Sequence, residues 1–123
     1  MTINLRAERG KLAEEVAHRH VVALGMRVIA RNLRVGYLEL DIVARDGDTI
    51  VVVEVRGRGK GAWLGPLGSV GRVKRRRLRR AAAILWSRRW SRWAGIARVR
   101  FDVASVDVDA RPPEVTYIRA AFV

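Results

Sequence analysis

The sequence predicts a single α/β domain, residues 1–123, in which a central mixed β-sheet is flanked by helices. Its 123 residues, 50% of them hydrophobic, suffice for one core and exclude two large domains. Segments with helical periodicity are separated by segments that are rich in β-branched residues or that alternate between polar and apolar side chains, as strands do. The predicted order is helix, two or three strands, helix and two strands.

The first predicted helix runs from Leu5 to Leu24, where apolar residues recur at spacings of three and four. Gly25 follows as its C-terminal stop. Directly after it, Met26–Ile29 is predicted to form a short strand.

Two stronger strands follow and are predicted to form a hairpin. Residues Tyr37–Ala44 alternate between polar and apolar side chains, and Asp46-Gly47 supplies a turn. Thr49–Arg56 is β-branched and apolar on both faces as far as Glu54, which is typical of a strand buried within a sheet.

The second half of the chain begins with a glycine-rich segment, Gly57–Gly68, which is predicted to be a loop. A second helix is predicted from Val70 to about Trp86. Its broad apolar side is predicted to comprise Val70, Val73, Lys74, Arg77, Leu78, Ala81, Ala82 and Leu85. Two further strands are predicted at Ala97–Val106 and Val115–Phe122, separated by Pro112-Pro113.

The charge of the chain predicts a polyanionic partner. Twenty-five Lys and Arg residues against twelve Asp and Glu residues give a net charge of +13. No acidic residue lies between Glu54 and Asp102. Seven of nine positions in the second helix's first half are basic, which suits contacts to a phosphate backbone. The predicted nucleic-acid-binding residues are Arg72, Lys74, Arg75, Arg76, Arg77, Arg79 and Arg80.

Composition also excludes several classes of protein. The absence of cysteine excludes a disulfide framework, thiolate metal sites and cysteine nucleophiles. No apolar run approaches the roughly 18 residues that a membrane span needs, and the first residues lack the apolar stretch of a signal peptide. We therefore expect a cytoplasmic protein with no membrane partner.

Charged residues are clustered in two strands that otherwise have core sequences. Glu39 and Asp41 share one face of the first hairpin strand, and Glu54 and Arg56 share one face of the second. The predicted turn sets Glu39 opposite Glu54 and Asp41 opposite Val52, with all four charged side chains on one face. A three-residue loop would instead move Glu54 to the other face.

Carboxylates brought together in this way need compensation, because buried unpaired charges are costly. Arg56 is one candidate, and a Mg²⁺ or Mn²⁺ ion is another, since such ions bind oxygen ligands and retain waters. A metal there would activate water for phosphodiester hydrolysis. The alternative is an exposed face of ion pairs with no catalytic role.

A set of short motifs in fixed order spans nearly the whole chain. The motifs are Gly10–Ala17, Gly25, Ala30–Arg34, Glu39–Val43, Val53–Arg56, Leu64–Pro66, Lys74, Leu78, Arg100–Val103 and Ala120–Phe122. In these motifs the chain resembles the YraN family of small bacterial proteins. That family is similar to the restriction-endonuclease-like, or PD-(D/E)xK, nuclease superfamily, which includes Holliday-junction resolvases and has an α-β-β-β-α-β core.

The resemblance implies a set of acidic site residues. Asp41 matches the first acidic position of the nuclease signature, and Glu54 matches the second. Glu14 and Glu39 match further acidic positions of the family pattern. The implied metal ligands are therefore Asp41, Glu54, Glu39 and Glu14, with Mg²⁺ or Mn²⁺ as the cofactor.

Two positions depart from the family pattern. Leu38 stands where the family's Gly-Glu-x-Asp motif has Gly, directly before Glu39, and Arg56 stands where the nuclease signature has Lys. A guanidinium stays charged, so it positions groups or stabilises charge but does not deprotonate water. Either Arg56 acts in this way, or Lys74, which matches a lysine on the family's second helix, replaces it in space. The alternative for Lys74 is a side chain that extends along the apolar stripe to solvent.

These observations predict a metal-dependent endonuclease acting on structured or branched DNA, with Asp41, Glu54, Arg56 and Lys74 as catalytic residues. One alternative is an inactive nucleic-acid-binding module with a nuclease-like fold. A structural protein of ribosomal or nucleoid type fits the charge but needs no carboxylate cluster. Trp86, Trp90 and Trp93 recur at helical spacing and are predicted to lie mainly in the core or in a subunit interface. An interface would make the protein a homodimer. The alternative is that these rings stack on unpaired bases.

Overall fold

The computed structural model describes residues 4–58 and 70–123. Within these two stretches the chain forms two α-helices, a short 3₁₀ turn and five strands. In chain order they are α1 (Leu5–Ala23), β1 (Arg27–Val35), β2 (Leu38–Asp46), β3 (Thr49–Arg58), α2 (Arg72–Arg88), the 3₁₀ turn (Trp90–Arg92), β4 (Arg98–Asp107) and β5 (Glu114–Phe122).

The strands form one mixed sheet in the order β1-β2-β3-β4-β5. β3 and β4 are parallel, whereas the other neighbours are antiparallel. A parallel pair requires a crossover connection, and the chain between β3 and β4 contains α2. The buried residues form one cluster with α1 and another with α2. The predicted mixed sheet flanked by helices is confirmed.

α1 begins at a side-chain cap and buries a narrow stripe. The Asn4 side chain accepts a hydrogen bond from the Ala7 N–H at 3.1 Å, as N-cap residues do. Ala13, Ala17 and Val21 are buried against the sheet. Gly25, at φ +90°, turns the chain out of the helix, in agreement with the predicted stop.

α2 lies on the opposite face of the sheet and buries Leu78, Ala81, Ala82 and Leu85. Part of its predicted apolar side is wrong, because Val73 is 59% exposed and Arg77 is exposed. Val70 is buried but precedes the helix, which begins at Arg72. The buried stripe is therefore narrower than the sequence pattern indicates.

β3 is the central strand of the sheet and is buried on both faces, as predicted. Ile50 and Val52 belong to the cluster that contains α2. Val51 and Val53 belong to the cluster that contains α1. Because both faces of β3 are covered, the charged side chain of Glu54 on this strand is also buried.

Several predicted boundaries are wrong by a few residues, and Tyr37, which was predicted to begin a strand, lies in the turn before β2 (Leu38–Asp46). The first strand runs from Arg27 to Val35, longer than the predicted Met26–Ile29, because β1 is an edge strand on which exposed polar residues are compatible with strand structure. β3 continues to Arg58, into the predicted loop Gly57–Gly68. The remainder of that loop lies outside the described residues.

The β2–β3 turn differs from the predicted turn and shifts the register. Asp46 pairs with Thr49, so the turn residues are Gly47 and Asp48 rather than Asp46-Gly47. The last pair of this ladder is Ile42 with Val53, which makes Asp41 and Glu54 the next residues along. The predicted pairing of Glu39 with Glu54 is therefore wrong by two residues. An even shift keeps each residue on its face, so Asp41 and Glu54 still share one.

An irregularity in the β1–β2 ladder separates Glu39 from this face. Asn32 has φ +50° and lies between residues that pair with Ile42 and Leu40. Beyond it Leu40 packs in the α2 cluster, whereas Ile42 packs in the α1 cluster. Glu39 consequently lies on the opposite side from Asp41. The prediction that all four charged side chains share one face is wrong for Glu39.

Candidate active site

Asp41 and Glu54 form a carboxyl pair where β2 and β3 diverge. Glu54 is 5% exposed and Asp41 is half-buried. The Oδ2 atom of Asp41 accepts a hydrogen bond of 2.8 Å from the Val55 N–H. The Val55 N–H lies beyond the last paired residues of β2 and β3, and the Asp41 carboxylate accepts its hydrogen bond in place of a backbone carbonyl. This bond holds Asp41 beside Glu54.

Burial and mutual repulsion govern the protonation of this pair. Burial, followed by the negative charge of Asp41, raises the pKa of Glu54 from 4.5 to about 7, although Lys74 partly offsets the rise. Burial also raises the pKa of Asp41, against the hydrogen bond from Val55. One proton or one cation between the two carboxyl groups would relieve the repulsion.

Lys74 provides the positive charge closest to this pair. Its Nζ lies 3.4 Å from Oε1 of Glu54, while its side chain remains 44% exposed. Lys74 therefore reaches across from α2 to the end of β3. The sequence left open whether Lys74 or Arg56 accompanies the acids, and the geometry favours Lys74.

Arg56 follows Glu54 on β3 by two residues and pairs with Ser105 of β4. Its side chain is half-buried. Within residues 4–58 and 70–123 its side chain forms no hydrogen bond or ion pair. The structure thus does not bring Arg56 into contact with the acid pair.

The other two predicted acids meet each other through an asparagine. With its amide nitrogen turned toward the acids, Asn32 donates to Oε1 of Glu14 and to Oε1 of Glu39, each at 3.2 Å. This orientation is assigned because both neighbouring atoms are acceptors. Glu39 also lies close enough to Asp41 for its charge to raise the pKa of that residue.

One cavity of about 380 Å³ collects most of these groups. Acidic side chains and Lys74 and Arg77 of α2 contribute to its wall, together with the tip of the β1–β2 hairpin. The lining residues are Glu14, Tyr37, Leu38, Glu39, Leu40, Asp41, Lys74, Arg77, Leu78 and Ala81. Glu54 lies next to this wall, through its contact with Lys74.

The donor set fits a divalent cation held by two carboxylates rather than by four. In the described part of the chain, no three Asp, Glu or His side chains are grouped closely enough to hold one metal ion. However, the buried Oε2 of Glu54 accepts no hydrogen bond from any donor in residues 4–58 and 70–123, and the neighbouring Asp41 becomes its hydrogen-bond partner only when one of the two carboxyl groups holds a proton. Mg²⁺ binds through one or two carboxylates and completes its shell with waters and phosphate oxygens. Asp41 and Glu54 satisfy that requirement.

The basic side chains of α2 divide into two groups. Arg75 donates to the Val70 carbonyl at 2.7 Å and lies over the Phe122 ring, and Arg79 donates to the Val123 carbonyl at 2.8 Å. The remaining arginines of the predicted binding set are exposed, with no hydrogen bond or ion pair to another described residue: Arg72, Arg76, Arg77 and Arg80. These four cations remain available to a polyanion.

The tryptophan stripe belongs mainly to the core. Trp90 is 1% exposed within the α2 cluster, and Trp86 and Trp93 pack against that cluster while partly exposed. This placement supports the core interpretation over base stacking for Trp90. The predicted homodimer stays a prediction.

The sequence reasoning missed a second buried acid, Asp102 on β4, which is fully buried. Arg100 contacts both of its carboxylate oxygens, at 2.9 and 3.1 Å. The Tyr117 hydroxyl and the Ala120 N–H also donate to it. The signal in the sequence is an acid within the otherwise mainly apolar run Phe101–Val106, two residues after an arginine on the same face.

The fold and the site define a small α/β domain with a buried carboxyl pair beside a basic helix. The family model described as "Uncharacterised protein family UPF0102" matches residues 13–106. The chain therefore belongs to the UPF0102 family, which confirms the resemblance to the YraN family. Of the motifs that carried this resemblance, Leu64–Pro66 lies outside the described residues.

Individual relatives match over almost the whole chain. A UPF0102 protein of Sorangium cellulosum is 45% identical over 118 residues, covering 95% of this chain and 82% of the relative. A UPF0102 protein of Mycolicibacterium vanbaalenii is 42% identical, covering 93% of each chain. One of Pseudomonas paraeruginosa is 40% identical, covering 94% and 92%. Neither described helix of this chain is long and apolar enough to span a membrane.

Proposed function

We propose that this protein is a nucleic-acid-binding, metal-dependent endonuclease that hydrolyses phosphodiester bonds in structured or branched DNA in the cytoplasm. The observation that carries the proposal is the Asp41–Glu54 pair, in which a buried oxygen of Glu54 beside Lys74 has no donor among the described residues unless the pair holds a proton. A purely structural ion pair would have its oxygens satisfied by donors. The lack of cysteine in the chain suits a reducing compartment.

The side chains divide the chemistry between them. Asp41 and Glu54 would hold the cation, which supplies Lewis-acid activation of water and neutralises charge on the phosphate. Lys74 orients Glu54 and offers an ammonium group to the charge that develops on the phosphate oxygens. Glu14 and Glu39, linked by Asn32, lie at the border of the same cavity as additional acceptors.

Binding to the phosphate backbone falls to α2. Arg72, Arg76, Arg77 and Arg80 have exposed guanidinium groups, and Arg77 reaches the cavity that contains Asp41. Each phosphate contact releases counterions, so affinity should fall steeply with salt. If six or more cations engage phosphates, the loss should be about 10³-fold or more between 50 and 200 mM salt.

Cleavage of branched, flapped, single-stranded and duplex DNA with Mg²⁺ or Mn²⁺ tests the proposal. We expect Asp41→Asn and Glu54→Gln each to lower the cleavage rate at least about 10²-fold, as loss of a key electrostatic group does. Glu114→Gln, at an exposed acid on β5, is the matched control and should retain the rate. Unchanged cleavage in both site variants would contradict the proposed site.

The second candidate is a catalytically inactive module that binds nucleic acid. It is favoured by Arg56 in the usual lysine position and by the absence of a three-carboxylate group among the described side chains. Such a module should bind DNA with the same salt dependence and show no saturable Mn²⁺ effect on stability or cleavage. Calorimetric titration with Mn²⁺ alone distinguishes the two.

A further inference from the structure

Tyr37 combines a large aromatic ring with unusual exposure. Its exposed fraction is 81%, whereas every other aromatic side chain in residues 4–58 and 70–123 is buried or half-buried. An isolated apolar residue on a surface needs no explanation in itself. The position of this ring in the fold is what gives it meaning.

The ring lies at the tip of the β1–β2 hairpin, directly beside the acidic cavity. Val35 pairs with Leu38, so Gly36 and Tyr37 form a two-residue turn, with Gly36 at φ +63°. Because the ladder continues to the turn, the backbone that carries Tyr37 is held close to the sheet. Tyr37 lines the same cavity as Asp41.

The cavity presents three kinds of surface to a ligand. Lys74 and Arg77 provide cations from α2, Asp41 provides a carboxylate, and Tyr37 provides an apolar ring at the rim. A phosphate drawn to the cations would have its own nucleoside within reach of the ring. Aromatic side chains stack on bases of any sequence, and a base within an intact duplex is already stacked between its neighbours.

We propose that Tyr37 stacks on an unpaired base adjacent to the phosphate at this cavity, so that the site selects single-stranded, flapped or frayed nucleic acid over intact duplex. The proposal rests on the proposed nucleic-acid function and names the substrate class. It assigns recognition of the strand to a base face, whereas α2 recognises only the backbone.

Equilibrium binding of the full chain, without divalent metal and at fixed salt, tests this. For a short single-stranded oligonucleotide, Tyr37→Ala should weaken binding roughly 5- to 100-fold, the range measured for loss of one base stack. Tyr37→Phe keeps the ring and should bind as the wild type does. Leu24→Ala, which trims an exposed apolar residue at the end of α1, is the control and should also bind normally. Blunt duplex should bind all four proteins about equally.

A double-mutant cycle locates the partner of the ring. An abasic nucleotide is moved one position at a time along the oligonucleotide, and binding to wild type and Tyr37→Ala is compared. At one position, removal of the base should weaken binding by the wild type but should not weaken binding by Tyr37→Ala. 2-Aminopurine at that position should be quenched by the wild type and by Tyr37→Phe but not by Tyr37→Ala.

Each remaining outcome has a definite meaning. Equal losses on duplex and single strand, or a Tyr37→Phe variant as weak as Tyr37→Ala, would overturn the stacking role while leaving the proposed function intact. Coupling at one base without any metal-dependent cleavage would support stacking and overturn the endonuclease. No binding of any DNA by the wild-type protein would overturn both.

Discussion

Two buried acids on neighbouring parallel strands have opposite surroundings. Asp102 on β4 has four donors: two nitrogens of Arg100, the Tyr117 hydroxyl and a backbone N–H. Glu54 on β3 has a lysine nitrogen at 3.4 Å, a second carboxyl group beside it and, within the described stretches of chain, one buried oxygen with no donor while the pair is ionised. The two residues lie on adjacent strands but on opposite faces of the sheet.

The difference indicates that Asp102 stabilises the fold, whereas burial of Glu54 costs the fold free energy. A buried carboxylate stabilises only when donors satisfy it, and Asp102 is satisfied. Burial also raises the pKa of its partner Tyr117, so that hydroxyl stays protonated and donating. Glu54 instead retains an electrostatic cost that a cation would remove. A pKa raised by burial beside a second carboxyl group is a property that active sites share.

The largest expected effect comes from breaking the satisfied acid. Asp102→Asn leaves Arg100 with only the partly exposed Asp46 as a counter-charge among the described residues, and we expect the free energy of unfolding to fall by about 3–5 kcal/mol. Urea denaturation measures it. Asp48→Asn is the control, because its ion pair with Arg98 is largely exposed, and it should change stability little. A near-wild-type Asp102→Asn would contradict the structural role.

Glu54→Gln should instead increase the free energy of unfolding at high pH. The pKa of Glu54 is raised in the folded protein, so ionisation penalises folding progressively between about pH 4.5 and pH 7. Glutamine removes this penalty, which corresponds to about 3 kcal/mol at most. Denaturation at pH 8 and pH 4 measures the difference, which should vanish at the lower pH. A difference that is constant with pH would contradict the assignment.

The sequence sufficed for the carboxyl pair but not for the wider acidic set. Alternation places Asp41 and Glu54 on one face whether the turn is Asp46-Gly47 or the observed Gly47-Asp48, because an even register shift preserves faces. Glu39 was misplaced since the positive φ of Asn32 interrupts the β1–β2 alternation. Propensity does not reveal where a single residue will adopt that conformation.

Contacts between α2 and the sheet were also beyond the sequence. Helical periodicity placed Lys74 and Arg77 on one side together, but tertiary packing directs Lys74 to Glu54 and leaves Arg77 exposed. Two of the four donors around Asp102, the Tyr117 hydroxyl and the Ala120 N–H, come from β5, fifteen or more residues away along the chain. A local sequence pattern indicates the type of element and which side chains share a face of it. Hydrogen-bond partners that are distant in sequence depend instead on how the strands are ordered in the sheet.

Mn²⁺ sharpens the comparison because it should act on only one of the two acids. An ion that binds the folded state alone stabilises it by about 2.7 kcal/mol at one hundred times its dissociation constant. We expect a rise in the melting temperature of the wild type with Mn²⁺ at pH 8 and no rise for Glu54→Gln. Buffer without Mn²⁺, adjusted with NaCl to the same ionic strength, is the control. An equal rise in both proteins would place the ion elsewhere.

The smallest effect concerns Lys74, whose charge lowers the pKa of Glu54 against the stronger effects of burial and Asp41. In Lys74→Met that pKa should rise further above 7, so the penalty on folding continues to grow at higher pH. The lysine is 44% exposed, and solvent screening limits the loss to about 1 kcal/mol at pH 9. Lys74→Arg keeps the charge and should show most of the wild-type stability. Below pH 4.5, where Glu54 is protonated in both the folded and unfolded states, Lys74→Met and the wild type should differ little, and an equal loss at both pH values would instead indicate that Lys74 contributes through packing alone.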